Sequence, residues 1–222
     1  MRLIRLSKRA CLCILCFTFL AGSAVPVSDN IVIADFSSGV DAKGIPQGWK
    51  LKEKSGEAVF KLVKNSDLNA LWMRSDDTSF SIQKEADVDL KQYPVLTWKW
   101  KVIELPKGGD FRKSKTDDQA AQLFLAFSKT RAIVYIWDTS APQGTIGNAA
   151  SPPLMKIRAV VVRSGSADIG RWISESRNVY EDYKKIFNEE PPPVKGVRIQ
   201  INSQHTGTSA ESCFADVVFK RQ

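Results

Sequence analysis

Two acidic pairs, Asp117-Asp118 and Glu181-Asp182, are the side chains of this 222-residue sequence best suited to acid–base chemistry. A glycan hydrolase or lyase working through paired carboxylates needs two acids about 5–10 Å apart across a cleft. Neighbours on a strand point to opposite faces, and neighbours in a helix diverge, so neither pair is a dyad alone. One acid from each block would have to converge. The simpler readings are a solvated loop for Asp117-Asp118 and helix-start electrostatics for Glu181-Asp182, and these are favoured.

Other chemistries have less to draw on. His205 is the single histidine, and Ser203, Ser209 and Ser212 lie near it without a Gly-x-Ser-x-Gly turn around any of them. One histidine and few cysteines fall short of the usual zinc ligand set. Calcium needs only oxygens, and Asp35, Glu211 and Asp216 are the donors a structural calcium ion would use. No other cofactor is expected.

The aromatic residues favour binding over catalysis. Sugar rings stack on tryptophan and tyrosine faces, and a sheet face or rim offers them a platform. Of Trp49, Trp72, Trp98, Trp100, Trp137 and Trp172, most are read as core. Trp98 and Trp100 share one strand face. Trp137 ends a strand before the loop 141–153 and is the candidate for a binding rim, with Arg177, Tyr180 and Asp118 as polar anchors.

These residues must be placed by elements, and the elements begin after a leader. Arg2, Arg5, Lys8 and Arg9, an apolar run from Ala10 to Ala21, and the small residues Gly22-Ser23-Ala24 have the layout of a secretory signal peptide over residues 1–24. The run is shorter than the roughly 20 residues of a spanning helix. Cleavage after Ala24 is therefore expected over an anchor, and over a lipoprotein, because Cys11, Cys13 and Cys16 sit inside the apolar run. The expected result is an exported protein, periplasmic or secreted, with no membrane insertion after cleavage.

Four of the 32 basic residues and none of the 24 acids lie in the leader, so its removal takes the net charge from +8 to +4. That weakens any nucleic-acid reading, which would want a concentrated basic stripe. Cys213 is left alone without an intramolecular disulfide partner, and its setting beside Phe214 reads as a buried small hydrophobe. A single domain over residues 25–222 is large enough to be stable by its core alone.

Short apolar or alternating segments at 31–36, 48–51, 58–63, 69–75, 80–84, 95–102, 122–127, 132–137 and 157–162 predict strands. Hairpins are expected at 75–78 and 128–131. The segments 123–127 and 133–137 are apolar on both sides and should be covered on both faces. One helix is predicted near residues 178–188, with Asn178 as its N-cap, Glu181 three residues later, and Pro191-Pro192-Pro193 as its stop. Alternation at Val197, Ile199 and Ile201, and at Ala215, Val217 and Phe219, supplies closing strands. The first and last strands are expected side by side. The fold class is all-β, a two-sheet antiparallel β-sandwich with one short helix.

The stretch Ser174-Glu175-Ser176-Arg177-Asn178-Val179-Tyr180-Glu181-Asp182-Tyr183, with Phe187 and Glu189-Glu190-Pro191-Pro192-Pro193, resembles the exported bacterial proteins of domain-of-unknown-function family 3047. Trp98-Lys99-Trp100-Lys101-Val102, Asp117-Asp118, Tyr135-Ile136-Trp137 and Val162-Arg163-Ser164-Gly165 also match. The resemblance implies a sandwich of jelly-roll type, similar to carbohydrate-binding and galactose-binding-like domains. The acidic run before the Thr-Gly step is replaced here by Asn202-Ser203-Gln204-His205. The functional expectation is a noncatalytic module for a saccharide or envelope glycan, ahead of a glycan hydrolase or lyase, and then a structural or protein-docking domain.

Overall fold

The computed structural model describes residues 28–65, 67–150 and 152–222. The signal peptide expected over residues 1–24, with its expected cleavage after Ala24, lies outside the described residues. No helix among the described residues is long and apolar enough to cross a membrane.

Two sheets face each other. The first holds β1 (Asn30–Ala34), β3 (Val59–Asn65), β4 (Leu68–Asp76), β6 (Val95–Glu104), β11 (Ile173–Asn178) and β13 (Ser209–Lys220), in the order β11-β6-β13-β4-β3, with β1 also paired to β13. The second holds β2 (Lys50–Ser55), β5 (Ser79–Val88), β7 (Ala121–Ala126), β8 (Arg131–Asp138), β9 (Ile146–Asn148), β10 (Lys156–Ser164) and β12 (Val194–Asn202), in the order β2-β5-β12-β7-β8-β10-β9. Among the described residues a single α-helix, α1, spans Val179–Phe187. This is the jelly-roll-type sandwich with one short helix that the sequence predicts.

Period-2 alternation sends one set of side chains between the sheets. Trp98, Trp100 and Val102 of β6 meet Leu123, Leu125, Tyr135, Ile199 and Ile201 there. Trp98 stacks on Tyr135 with centroids 5.4 Å apart and meets Trp100 edge-on at 5.3 Å. Each large side chain buried this way contributes about 1.5–3 kcal/mol. The helix closes one end of this core: Tyr183 is fully buried and packs edge-on against Phe127. Asn178 accepts a hydrogen bond from the Glu181 N–H, as its N-cap position requires.

β7 and β8 are covered on both faces, as their continuous apolar sequence predicts. Their outward residues Phe124, Ala132, Val134 and Ile136 join Ala159 and Val161 under Phe111 and Ala141, which arrive on two long loops. The fully buried Asp138 carboxylate ties those loops down by accepting from the N–H groups of Phe111, Ser140 and Ala141. Gly147 is required beneath the cap, because a Cβ there would lie 2.8 Å from the Phe111 ring.

Three details depart from the sequence expectation. The link 75–78 is no hairpin: β4 and β5 belong to different sheets, so the chain crosses the top of the sandwich there. β8 and β10 run parallel rather than antiparallel, because the connection between them travels back along the sheet before re-entering it. β9 and β11 are additional strands, the first inside a segment read as loop and the second in polar sequence preceding the helix. The 128–131 hairpin joins antiparallel neighbours as expected, and β1 lies against β13 with Ala34 opposite Val217.

Candidate functional site

The outward face of the second sheet is capped over β8, β10 and most of β7 but left open over β5, β12 and the Ala126 end of β7. Inter-strand register makes this surface a set of rungs. One rung reads Lys50, Gln83, Arg198, Phe124, Val134 from β2 to β8. The rung on one side reads Glu85, Gly196, Ala126, Ala132, and the rung on the other reads Ser81, Gln200, Gln122, Ile136. Three small residues side by side leave a trough beside the bulky Arg198–Phe124 rung. The resulting groove has a volume of about 440 Å³ and is lined by Lys50, Gln83, Phe124, Ala126, Gly196 and Arg198 among others. That is the size of a small-molecule cleft.

Polar groups at its edges are unequally satisfied. Lys50 is paired with Glu85 at 3.3 Å, Lys195 with Asp87 at 2.7 Å, and the Lys84 Nζ donates to the Ile33 carbonyl at 3.1 Å. Arg198 has neither a carboxylate nor a hydrogen-bond acceptor among the described residues; its guanidinium lies 4.7 Å from the centroid of the Phe124 ring. Burial pushes its pKa below the usual arginine value with no opposing charge to offset it. The Gln83 side-chain amide likewise has no partner among the described residues.

A polar cluster adjoins the groove beyond Phe124. Asn202 donates to the Asp118 carboxylate at 2.9 Å and to the Asp117 carbonyl at 2.7 Å, while its own carbonyl accepts from the Gln119 N–H and from Gln122. Asp118, fully buried, also accepts from the Thr206 N–H at 2.7 Å and faces the His205 Nδ1 at 3.1 Å. Burial pushes the Asp117 carboxyl above its ordinary value, against hydrogen bonds from Gln119 and the Ala150 N–H. These contacts knit the 117–119 loop to the end of β12.

The residues singled out by sequence are distributed differently from the expectation. Trp137 is not at a rim: it is 1 % exposed, between the sheets, and donates from its indole to the Gly165 carbonyl. Its strand position points it inward, and the two-sided cover of β8 hides the other face. Arg177 is bound to Asp182, which also accepts from the Tyr135 hydroxyl at 2.8 Å. Tyr180 donates to Glu190 from the exposed side of α1. Trp137, Arg177, Tyr180 and Asp118 thus belong to four separate contact sets. The acids Asp117 and Asp118 likewise share no partner with Glu181 and Asp182.

The calcium donors are also engaged one by one. Asp35 accepts from the N–H and hydroxyl of Ser37, Glu211 accepts from Trp72 and Arg74, and Asp216 pairs with Lys99 at 2.8 Å. No group of three or more His, Cys, Asp or Glu side chains gathers among the described residues. Cys213 is buried beside Ala70 and Ala215, and burial pushes its thiol up to about 11, in keeping with a packing role.

The groove residues Gln83, Phe124, Ala126, Gly196 and Arg198 were not distinguished by sequence reasoning. They lie on three strands far apart in sequence, and only register assembles them. The one available signal was Arg198, a cation on a wet strand face with no acid elsewhere on β12.

Solved structures similar to the chain include two carbohydrate-binding modules from cellulosomal cellulases of Clostridium thermocellum. The family 11 module has 9 % identity and a TM-score of 0.47, covering 89 % of this chain and 97 % of its own. The family 30 module has 13 % identity and a TM-score of 0.47, covering 87 % and 98 %. A xyloglucanase domain of a type three effector from Sinorhizobium fredii, solved with cellobiose, has 9 % identity and a TM-score of 0.49, covering 79 % and 94 %. Comparison with curated protein sequences finds no match. The chain belongs to the family described as protein of unknown function DUF3047, whose model matches residues 47–218.

Proposed function

We propose that this is a noncatalytic saccharide-binding domain, and that its ligand lies in the groove over Gly196, Ala126 and Ala132. The observation that carries the reading is the juxtaposition of a small-residue floor with the Phe124 wall and the Gln83 carboxamide. A sugar presents C–H patches and hydroxyls that both donate and accept. Small and aromatic residues suit the former, and carboxamides, which carry donors and acceptors together, suit the latter. Glu85 is the single acid lining the groove among the described residues, and Lys50 already holds it. Hydrolysis through paired carboxylates would need a second. The basic, apolar and small-residue layout of residues 1–24 supports a working place in the periplasm or outside the cell.

The test is calorimetric titration with an oligosaccharide panel, comparing the wild type with Ala126→Trp. Ala126 faces the groove, so the indole fills the trough without entering the inter-sheet core. Binding should be lost while the thermal midpoint holds. Undiminished affinity in Ala126→Trp would remove the groove as the site.

A further inference from the structure

Resting on the saccharide reading above, we infer that the groove selects a sugar carrying a carboxylate, a uronate, with the Arg198 guanidinium as its counter-ion. A guanidinium taken from water without a partner is costly, and proteins normally pair or expose such a group. Here it is held half-buried in the middle rung of the groove. Every other cation lining the groove already has an acceptor: Lys50 has Glu85, Lys195 has Asp87, and Lys84 has the Ile33 carbonyl.

Its orientation is also constrained. The Arg198 Cζ lies over the Phe124 ring, 4.7 Å from its centroid, and Gln83 stands opposite Arg198 on β5. The ring offers the guanidinium no conventional acceptor, so its N–H groups are left available among the described residues. A carboxylate is planar and matches a guanidinium edge with two parallel hydrogen bonds, a geometry that a lysine ammonium does not offer. The Gln83 amide, free of partners among the described residues, can bond a neighbouring hydroxyl of the same sugar. Glu85, the acid of the adjoining rung, is neutralised by Lys50, so the floor itself does not repel an anion.

The experiment is titration of the purified protein with trimers of galacturonate, glucuronate, guluronate and mannuronate, and with the neutral trimers of galactose, glucose and mannose. At low salt at least one uronate trimer should bind about tenfold or more tightly than its neutral counterpart, as a charge-assisted bidentate contact implies. The advantage should shrink as sodium chloride is raised. Arg198→Met keeps a long side chain against Phe124 and should abolish the preference; Arg198→Lys should restore only part of it. Equal affinity for charged and neutral trimers overturns this inference and leaves the saccharide reading standing. A preference that survives Arg198→Met places the carboxylate elsewhere and overturns it too. Failure of every trimer, charged and neutral, overturns both.

Discussion

The guanidinium of Arg198 lies over the ring of Phe124, its Cζ 4.7 Å from the ring centroid, the two residues standing opposite each other in register on neighbouring strands of the second sheet. The pair divides the outward face of that sheet. On the side of β8 and β10 the outward residues are sealed under Phe111, and on the other they form a groove. Phe124 serves both halves, as part of the sealed cluster and as a wall of the groove.

An unpaired, half-buried cation such as Arg198 should weaken the fold that carries it. Arg198→Met removes the desolvation cost and keeps the contact with Phe124, so the thermal midpoint should rise, or fall by no more than about 2 °C. Differential scanning calorimetry of both forms decides this. A fall of several degrees would assign Arg198 to the scaffold.

The Asn202 cluster should behave in the opposite way. Truncation by Asn202→Ala leaves the buried Asp118 carboxylate and the Gln119 N–H each short of a partner. The loss should be on the order of 2–3 kcal/mol, read from the urea midpoint at constant slope.

Trp137 offers a contrast between a packing role and a binding role. Its indole touches Trp100 at 5.8 Å within the core, so Trp137→Ala should cost about 3–5 kcal/mol. Trp137→Phe should cost much less and leave saccharide affinity unchanged. A stable Trp137→Ala protein that no longer bound sugars would contradict the buried placement.

Acid sensitivity should be partly traceable to Asp110. The hydrogen bonds from Arg112 hold its carboxyl down from 3.8 to about 2. A depressed folded-state value stabilises the protein above the unfolded value and is lost as pH falls through the folded one. Because Arg112 is exposed, solvent screens the pair and the contribution is small. Urea midpoints for the wild type and Asp110→Asn should therefore differ at pH 6 and converge as pH falls from 4 towards 2.

Much of this architecture is legible in local sequence. Trp98, Trp100 and Val102 alternating with lysines, and the unbroken apolar runs of β7 and β8, state their burial directly. Asn178, Glu181 and three prolines bracket the helix. By contrast, Ser75-Asp76-Asp77-Thr78 carries turn chemistry whether a chain folds back within a sheet or crosses to another, so its local sequence does not distinguish a hairpin from the crossing the 75–78 link makes. β11, Ile-Ser-Glu-Ser-Arg-Asn, has no apolar face and is a strand because β6 offers it a ladder. The groove is least legible of all. A glycine and two alanines become a floor only when Gly196, Ala126 and Ala132 are laid side by side.

The cap over β7 and β8 has a further consequence for whatever enters the groove. Phe124 is clamped from behind by Val134 and Phe111, and Phe111 is itself fixed by Asp138. A wall already immobilised in the free protein has little freedom left to surrender on contact, which lowers the entropic cost of association. Amide exchange at β7 should accordingly be as slow without ligand as with it, and recognition should proceed by a rigid dock rather than by closure.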